Sequence, residues 1–220
     1  MTDLTPFETI TFPENITTVF FDLDGTLFDS MGVWEQIDID FLAKRGLTPP
    51  DNYIAEITPL GFRATAEYTI KRFGLRETPE AIMNEWHEMA VEAYTHHVPL
   101  KRNAIPVLDK MASMGYRLVV TSASSKELAY PCMNRNGITS RFEKVLMVDD
   151  HLSGKNDPLF WKEAAKTVGV LPEECALFDD SAAALSAAKS IGILTVGVKD
   201  IHTVNPFDVE SASDIYTSLD

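Results

Sequence analysis

The hydrophobic positions along this chain follow two rhythms, and the places where one gives way to the other divide the sequence. Thr18 to Phe21 is a short β-branched and aromatic run with the pattern of a buried strand. After Ser30 the apolar residues change spacing: Val33, Trp34, Ile37, Phe41 and Leu42 recur at helical intervals until Gly46 stops them. Pro49-Pro50 and Pro59 punctuate a short helix around Tyr53 to Ile57. Phe62 to Phe73 and Pro79 to His96 predict two further helices, separated by Gly74 and Thr78. Between Met31 and Pro99 the pattern offers helix after helix and no strand.

From Leu100 onward helix and strand alternate. Helices are expected over Ile105 to Met114, Lys126 to Asn136, Asp157 or Pro158 to Val168, and Ala182 to Ile191. Strands are expected over Arg117 to Ser122, Lys144 to Val148, Glu174 to Phe178 and Leu194 to Val198, with Ile215 to Leu219 as an edge strand. Short βαβ units of this kind build a parallel sheet with helices on both faces. The organisation predicted is an α/β core of residues 1–30 and 100–220, with an all-helical module, 31–99, inserted directly after the first strand's turn. Sites in open parallel sheets lie beyond the carboxyl ends of the strands, so a module inserted there is placed to act as a lid.

Composition narrows the picture. With 33 acidic against 19 basic residues, the net charge of −14 argues against a nucleic-acid backbone or an anionic membrane as partner. A small anionic substrate stays compatible, because one local site can be positive on an acidic protein. The two cysteines, Cys132 and Cys175, have no metal-binding spacing and read as buried thiols. No apolar run approaches membrane length, and Met1 to Pro13 lacks the layout of a secretion signal. The expectation is a cytoplasmic protein, monomeric or weakly dimeric.

The candidate chemistry sits where buried strands end. Asp22-Leu23-Asp24-Gly25-Thr26 closes the first strand with two carboxylates that alternation directs to the same side. Two like charges so placed need a divalent cation or a shared proton. Thr121-Ser122 ends the Arg117 strand with hydroxyls able to donate to a phosphoryl oxygen. Lys155 lies in the loop before the Pro158 helix, and Asp179-Asp180-Ser181 ends the Glu174 strand. A helix N-cap would account for one acid of that last pair, not both.

In this order, these segments resemble the motifs of the haloacid dehalogenase (HAD) superfamily, and the insertion after Asp29-Ser30 resembles its β-phosphoglucomutase-like, capped phosphatase group. The resemblance implies a Rossmann-like core with a helical cap, and Mg²⁺-dependent hydrolysis of a small phosphorylated metabolite, such as a sugar phosphate, through an aspartyl-phosphate. It makes Asp22 the nucleophile and Asp24 the general acid and base. Mg²⁺ would be held by Asp22, the Asp24 carbonyl and Asp180, with Asp179 acting through water. Lys155, either Thr121 or Ser122, and backbone N–H groups near Gly25 would cradle the phosphoryl group. Asn156 stands where the family's Lys-Pro-x-Pro segment has its first proline, leaving a less rigid loop. Asp29 and Ser30 would cap the first cap helix at one side of the hinge. Arg63, after Gly61, is the cap residue expected to reach the distal part of the substrate, with Trp34 either an apolar wall or cap core.

Rival readings share these residues. A sugar-phosphate mutase resembling the family's would carry a cap histidine in the region where Trp34 stands. A phosphonate hydrolase would need a Schiff-base lysine, for which Lys44 and Lys71 are the candidates. A dehalogenase needs neither Mg²⁺ nor Asp24. A non-catalytic phosphometabolite-binding module has no need of the intact acids and Lys155.

Overall fold

The computed structural model describes residues 4–57, 60–151, 153–202 and 206–220. Its first strand, β1 (Thr18–Phe21), is buried at every position. Successive side chains on a strand point to opposite faces, and the two phenylalanines accordingly bind different layers. The Phe20 ring lies 6.1 Å from that of Trp161, whereas Phe21 stacks on Phe178 at 4.7 Å. A strand covered on both faces reads as continuously apolar, as this one does.

After β1 the chain forms α1 (Met31–Ala43), α2 (Tyr53–Ile57), α3 (Phe62–Phe73) and α4 (Pro79–His96). It then alternates through α5 (Ala104–Ser113), β2 (Arg117–Ser122), α6 (Lys126–Arg135), β3 (Lys144–Met147), α7 (Pro158–Val168), β4 (Cys175–Asp179), α8 (Ala182–Lys189), β5 (Leu194–Lys199), α9 (Pro206–Ala212) and β6 (Ile215–Ser218). All six strands are parallel, in the order β3-β2-β1-β4-β5-β6. The α/β parallel sheet expected from the alternation is present. One element escaped the pattern: α9 has only Val209 buried, too short a signal to separate from a loop.

This order places a topological switch at β1. The chain runs from β1 outward through β2 and β3, then crosses back to place β4 on the other side of β1. Clefts open at the carboxyl ends of strands where the order reverses. The segment following β1 and the segment following β4 therefore meet at the place where the fold itself favours a site.

The chain divides into two units, one of 1–31 and 98–220, the other of 32–97. In the second unit α3 packs on α4, and Trp86 of α4 contacts the rings of Phe41 and Phe62 at 5.4 and 5.7 Å. Arg45 lies over the Phe41 ring and pairs with Glu77 and Glu85 at 2.8 and 2.7 Å, tying α1 to α4. Thr78 accepts from the Ala81 N–H, with Pro79 in the first turn, so α4 starts where Thr-Pro predicts. The break assigned to Pro59 lies outside the described residues.

Candidate active site

The site begins where β1 ends. The Asp22 N–H donates to the Phe178 carbonyl at 2.9 Å, so the ladder with β4 runs one residue past the strand and fixes Asp22 beside β4. The chain then turns sharply: Phe28 N–H donates to Leu23 at 2.7 Å and Gly25 N–H donates back to Phe28 at 3.1 Å. Gly25 takes φ +77°, which a side chain would resist. A Cβ there would also stand 2.7 Å from Asp180 Cγ. Glycine at this position is what lets the Asp180 carboxylate lie against the turn.

Asp22, Asp179 and Asp180 each bring a carboxylate oxygen within 4.8 Å of the others. Lys155 enters from the loop between β3 and α7, its Nζ 2.5 Å from Asp22 Oδ1 and 2.7 Å from Asp179 Oδ2. Trp161 Nε1 donates to the Lys155 carbonyl at 2.7 Å and Asp157 caps α7 through Leu159 N–H, so the lysine's backbone is held on both sides. Asp179 Oδ1 accepts from Ser181 N–H at 2.8 Å, and the Ser181 hydroxyl in turn caps α8.

Burial is the main force on these charges. It pushes the Asp22 carboxyl well above the usual carboxylate range; Lys155 opposes the shift, and the neighbouring acids add to it. Asp180 is raised to about 7, by burial first and then by Asp179. Burial pulls the Lys155 ammonium down, but Asp179 and Asp22 more than reverse this and hold it charged. One lysine thus faces three crowded carboxylates. An oxygen-only donor set with surplus negative charge is the kind that suits a hard divalent cation, so the residues fit one.

Asp24 is set apart from that cluster. Its Oδ1 accepts from the Ser30 hydroxyl at 2.7 Å, and its Oδ2 from the Ser124 hydroxyl. Asp22 and Asp24, two residues apart, therefore have different partners: an ammonium and two acids for one, two hydroxyls for the other. From the sequence Ser30 is expected only to cap the first cap helix, and nothing marks Ser124, since a serine two residues beyond a strand end is too common to stand out. Ser122 Oγ accepts from Ser124 N–H at 3.0 Å and so shapes the loop that delivers Ser124. The Thr121 carbonyl lies 3.5 Å from Lys155 Nζ, and its hydroxyl is buried with no hydrogen-bond partner.

The remaining candidates belong to the second unit. Arg63 pairs with Glu67 at 3.2 Å and Glu80 at 2.8 Å, its side chain 59% exposed. Lys44 is exposed and 3.4 Å from Glu85, and Lys71 is exposed on α3. Trp34 meets Phe62 edge-on at 5.8 Å with both rings partly open to solvent. Both cysteines are buried, as their settings predict. Among the described residues, no helix is long and apolar enough to cross a membrane.

A parallel sheet with acids and a buried lysine gathered at its switch point is the architecture of an α/β enzyme. The chain belongs to the haloacid dehalogenase-like hydrolase family, whose profile matches residues 16–192. A phosphoglycolate phosphatase of Neisseria gonorrhoeae is 25% identical over 190 residues, covering 84% of this chain and 80% of that protein. A validoxylamine A 7'-phosphate phosphatase of Streptomyces hygroscopicus is 24% identical, covering 83% and 85%. A solved structure from Thermotoga maritima matches 93% of this chain and 95% of its own, with a TM-score of 0.82 at 20% identity.

Proposed function

We propose that this chain is a Mg²⁺-dependent phosphatase that hydrolyses a small phosphorylated metabolite, a sugar phosphate or similar monoester, through an aspartyl-phosphate on Asp22. The observation that carries the reading is Lys155 held between Asp22 and Asp179, with Asp180 alongside. A carboxylate attacking a phosphate dianion faces mutual repulsion, and such a cluster with its lysine is equipped to offset it. Names among the relatives, phosphatases of phosphoglycolate and of validoxylamine A 7'-phosphate, support the class of reaction and differ in substrate.

In this mechanism Asp22 attacks phosphorus while the bond to the leaving oxygen breaks. Asp24 gives that oxygen a proton, then takes one from the water that attacks the aspartyl-phosphate and frees Asp22. The Ser30 and Ser124 hydroxyls keep the Asp24 carboxyl aimed through both transfers. Lys155 favours the ionised form of Asp22 against its burial and meets a phosphoryl oxygen, helped by Gly25 N–H and by Ser122 or Thr121. Asp22, Asp180 and the Asp24 carbonyl would hold Mg²⁺, with Asp179 linked through water; the cation supplies charge neutralisation for the incoming phosphate. Residues 31–99 act as the cap, where Arg63 would exchange its pairs with Glu67 and Glu80 for the substrate's distal part.

The test is to trap the intermediate. With Mg²⁺ and a labelled phosphomonoester, quenched wild-type protein should carry acid-stable label that Asp22→Asn lacks. Asp24→Asn should slow both formation and loss of the label. Near-normal hydrolysis by Asp22→Asn would show that the nucleophile is another residue.

A further inference from the structure

The described residues contain another buried ion pair close to the acids. Lys101 is 3% exposed and Asp200 1%, with Lys101 Nζ 2.7 Å from Asp200 Oδ2. Lys101 also reaches Asp220 Oδ1 at 2.9 Å, and Asp200 Oδ1 accepts from His202 N–H at 2.8 Å. Removing two charges from water commonly costs more than their attraction returns, so stability alone is a poor reason for such a pair. Its neighbours suggest a better one.

The Lys101 N–H donates to the Leu27 carbonyl at 2.9 Å, and the preceding Leu100 forms an antiparallel bridge with Phe28. Leu27 and Phe28 close the turn that carries Asp24 and Gly25, and Gly25 packs against Asp180. Asp200 directly follows β5, whose Gly197 is in register with Asp179. The Lys101 main chain thus holds the turn, and its side chain ties that segment to Asp200 at the neighbouring strand end. The Asp200 charge also bears on Asp180, in the direction that raises its pKa.

We infer that Lys101 and Asp200 are a positioning pair for the acidic site, bracing the Asp24–Phe28 turn against the end of β5 and cancelling a carboxylate charge beside Asp180. The inference rests on the metal-holding role given to Asp180 in the proposed function. Substituting either partner then has opposite electrostatic consequences. Without the carboxylate, the Lys101 ammonium opposes cation binding. Without the ammonium, the site is at least as negative as before.

Mn²⁺ binding to the full-length protein, followed by electron paramagnetic resonance, reads this directly, with kcat measured in parallel. Asp200→Asn should weaken Mn²⁺ binding by about threefold or more. Lys101→Met should leave it unchanged or tighter while lowering kcat about tenfold, because the segment that braces the turn is no longer tied to Asp200. The double variant, which leaves no unpaired buried charge, should return Mn²⁺ binding to within about twofold of wild type and keep the low kcat. Should Lys101→Met fail to fold, Asp200→Asn and the double variant still give the opposed pair of readings. Equal weakening in every folded variant, or none in Asp200→Asn, overturns the pair. Mn²⁺ binding that is absent in wild type, or survives Asp180→Ala, overturns the site reading and the pair with it.

Discussion

Asp179 and Asp180 are adjacent in the chain and differ in what already holds them. Asp179 is fully buried, with one oxygen on Ser181 N–H and the other beside the Lys155 ammonium. The Asp180 carboxylate is partly exposed and lies against the Gly25 backbone. A carboxylate tied on both oxygens is a positioning group; one whose main neighbours are acids is the better direct ligand. Asp180→Ala should therefore raise the Mg²⁺ concentration needed for half-maximal activity by about ten-fold or more. Asp179→Ala should act mainly through Lys155, lowering kcat with a smaller change in Mg²⁺ requirement. Titrating activity against Mg²⁺ for both variants decides the matter, and a larger shift for Asp179→Ala would exchange their roles.

At the scale of elements, local signals carried most of the fold. The strand boundaries fall within one residue of those read from the β-branched runs, because the central strands β1 and β4 are buried at every position and the outer ones keep an apolar or β-branched run. Thr78-Pro79 and Asp157-Pro158 marked their helix starts through capping chemistry that needs no tertiary partner. Ser124, which helps aim Asp24, and the Lys101–Asp200 pair stayed hidden because each joins segments far apart in the chain. The pattern also missed an anomaly within α1. Burial first, and then Glu35, push the Asp38 carboxyl up to about 7 from an ordinary value of 3.8. The folded chain then keeps this proton across a range where the unfolded chain has lost it. The group's contribution to stability is therefore greatest at low pH, falls as pH rises from about 4 to about 7, and is flat above that. Wild type should lose more thermal stability than Asp38→Asn between about pH 5 and about pH 8. Parallel curves for the two proteins would mean that Asp38 ionises normally in the folded state.

For the molecule as a whole, the acids at the switch point are an expense that folding must carry. Asp22, Asp179 and Asp180 are drawn together by the convergence of β1 and β4, with Lys155 balancing only part of their charge. An unfolded chain spreads the same carboxylates apart and solvates them. A cation that binds only the gathered arrangement should therefore stabilise the folded state by mass action, independently of any substrate. At a hundred times its dissociation constant such a ligand adds about 2.7 kcal/mol. For a chain of this length that corresponds to a rise in Tm of roughly 5–10 °C. Thermal unfolding in EDTA and in saturating Mg²⁺ should show a rise of this order in wild type. In Asp180→Ala the rise should shrink or vanish, although the metal-free variant should itself melt no lower than metal-free wild type, since one of the repelling charges has gone. A shift that persists in Asp180→Ala would place the cation elsewhere on this acidic surface. Identical Tm values for wild type in EDTA and Mg²⁺ would mean that the cluster takes no cation without substrate, and that the incoming phosphate must supply the missing ligands.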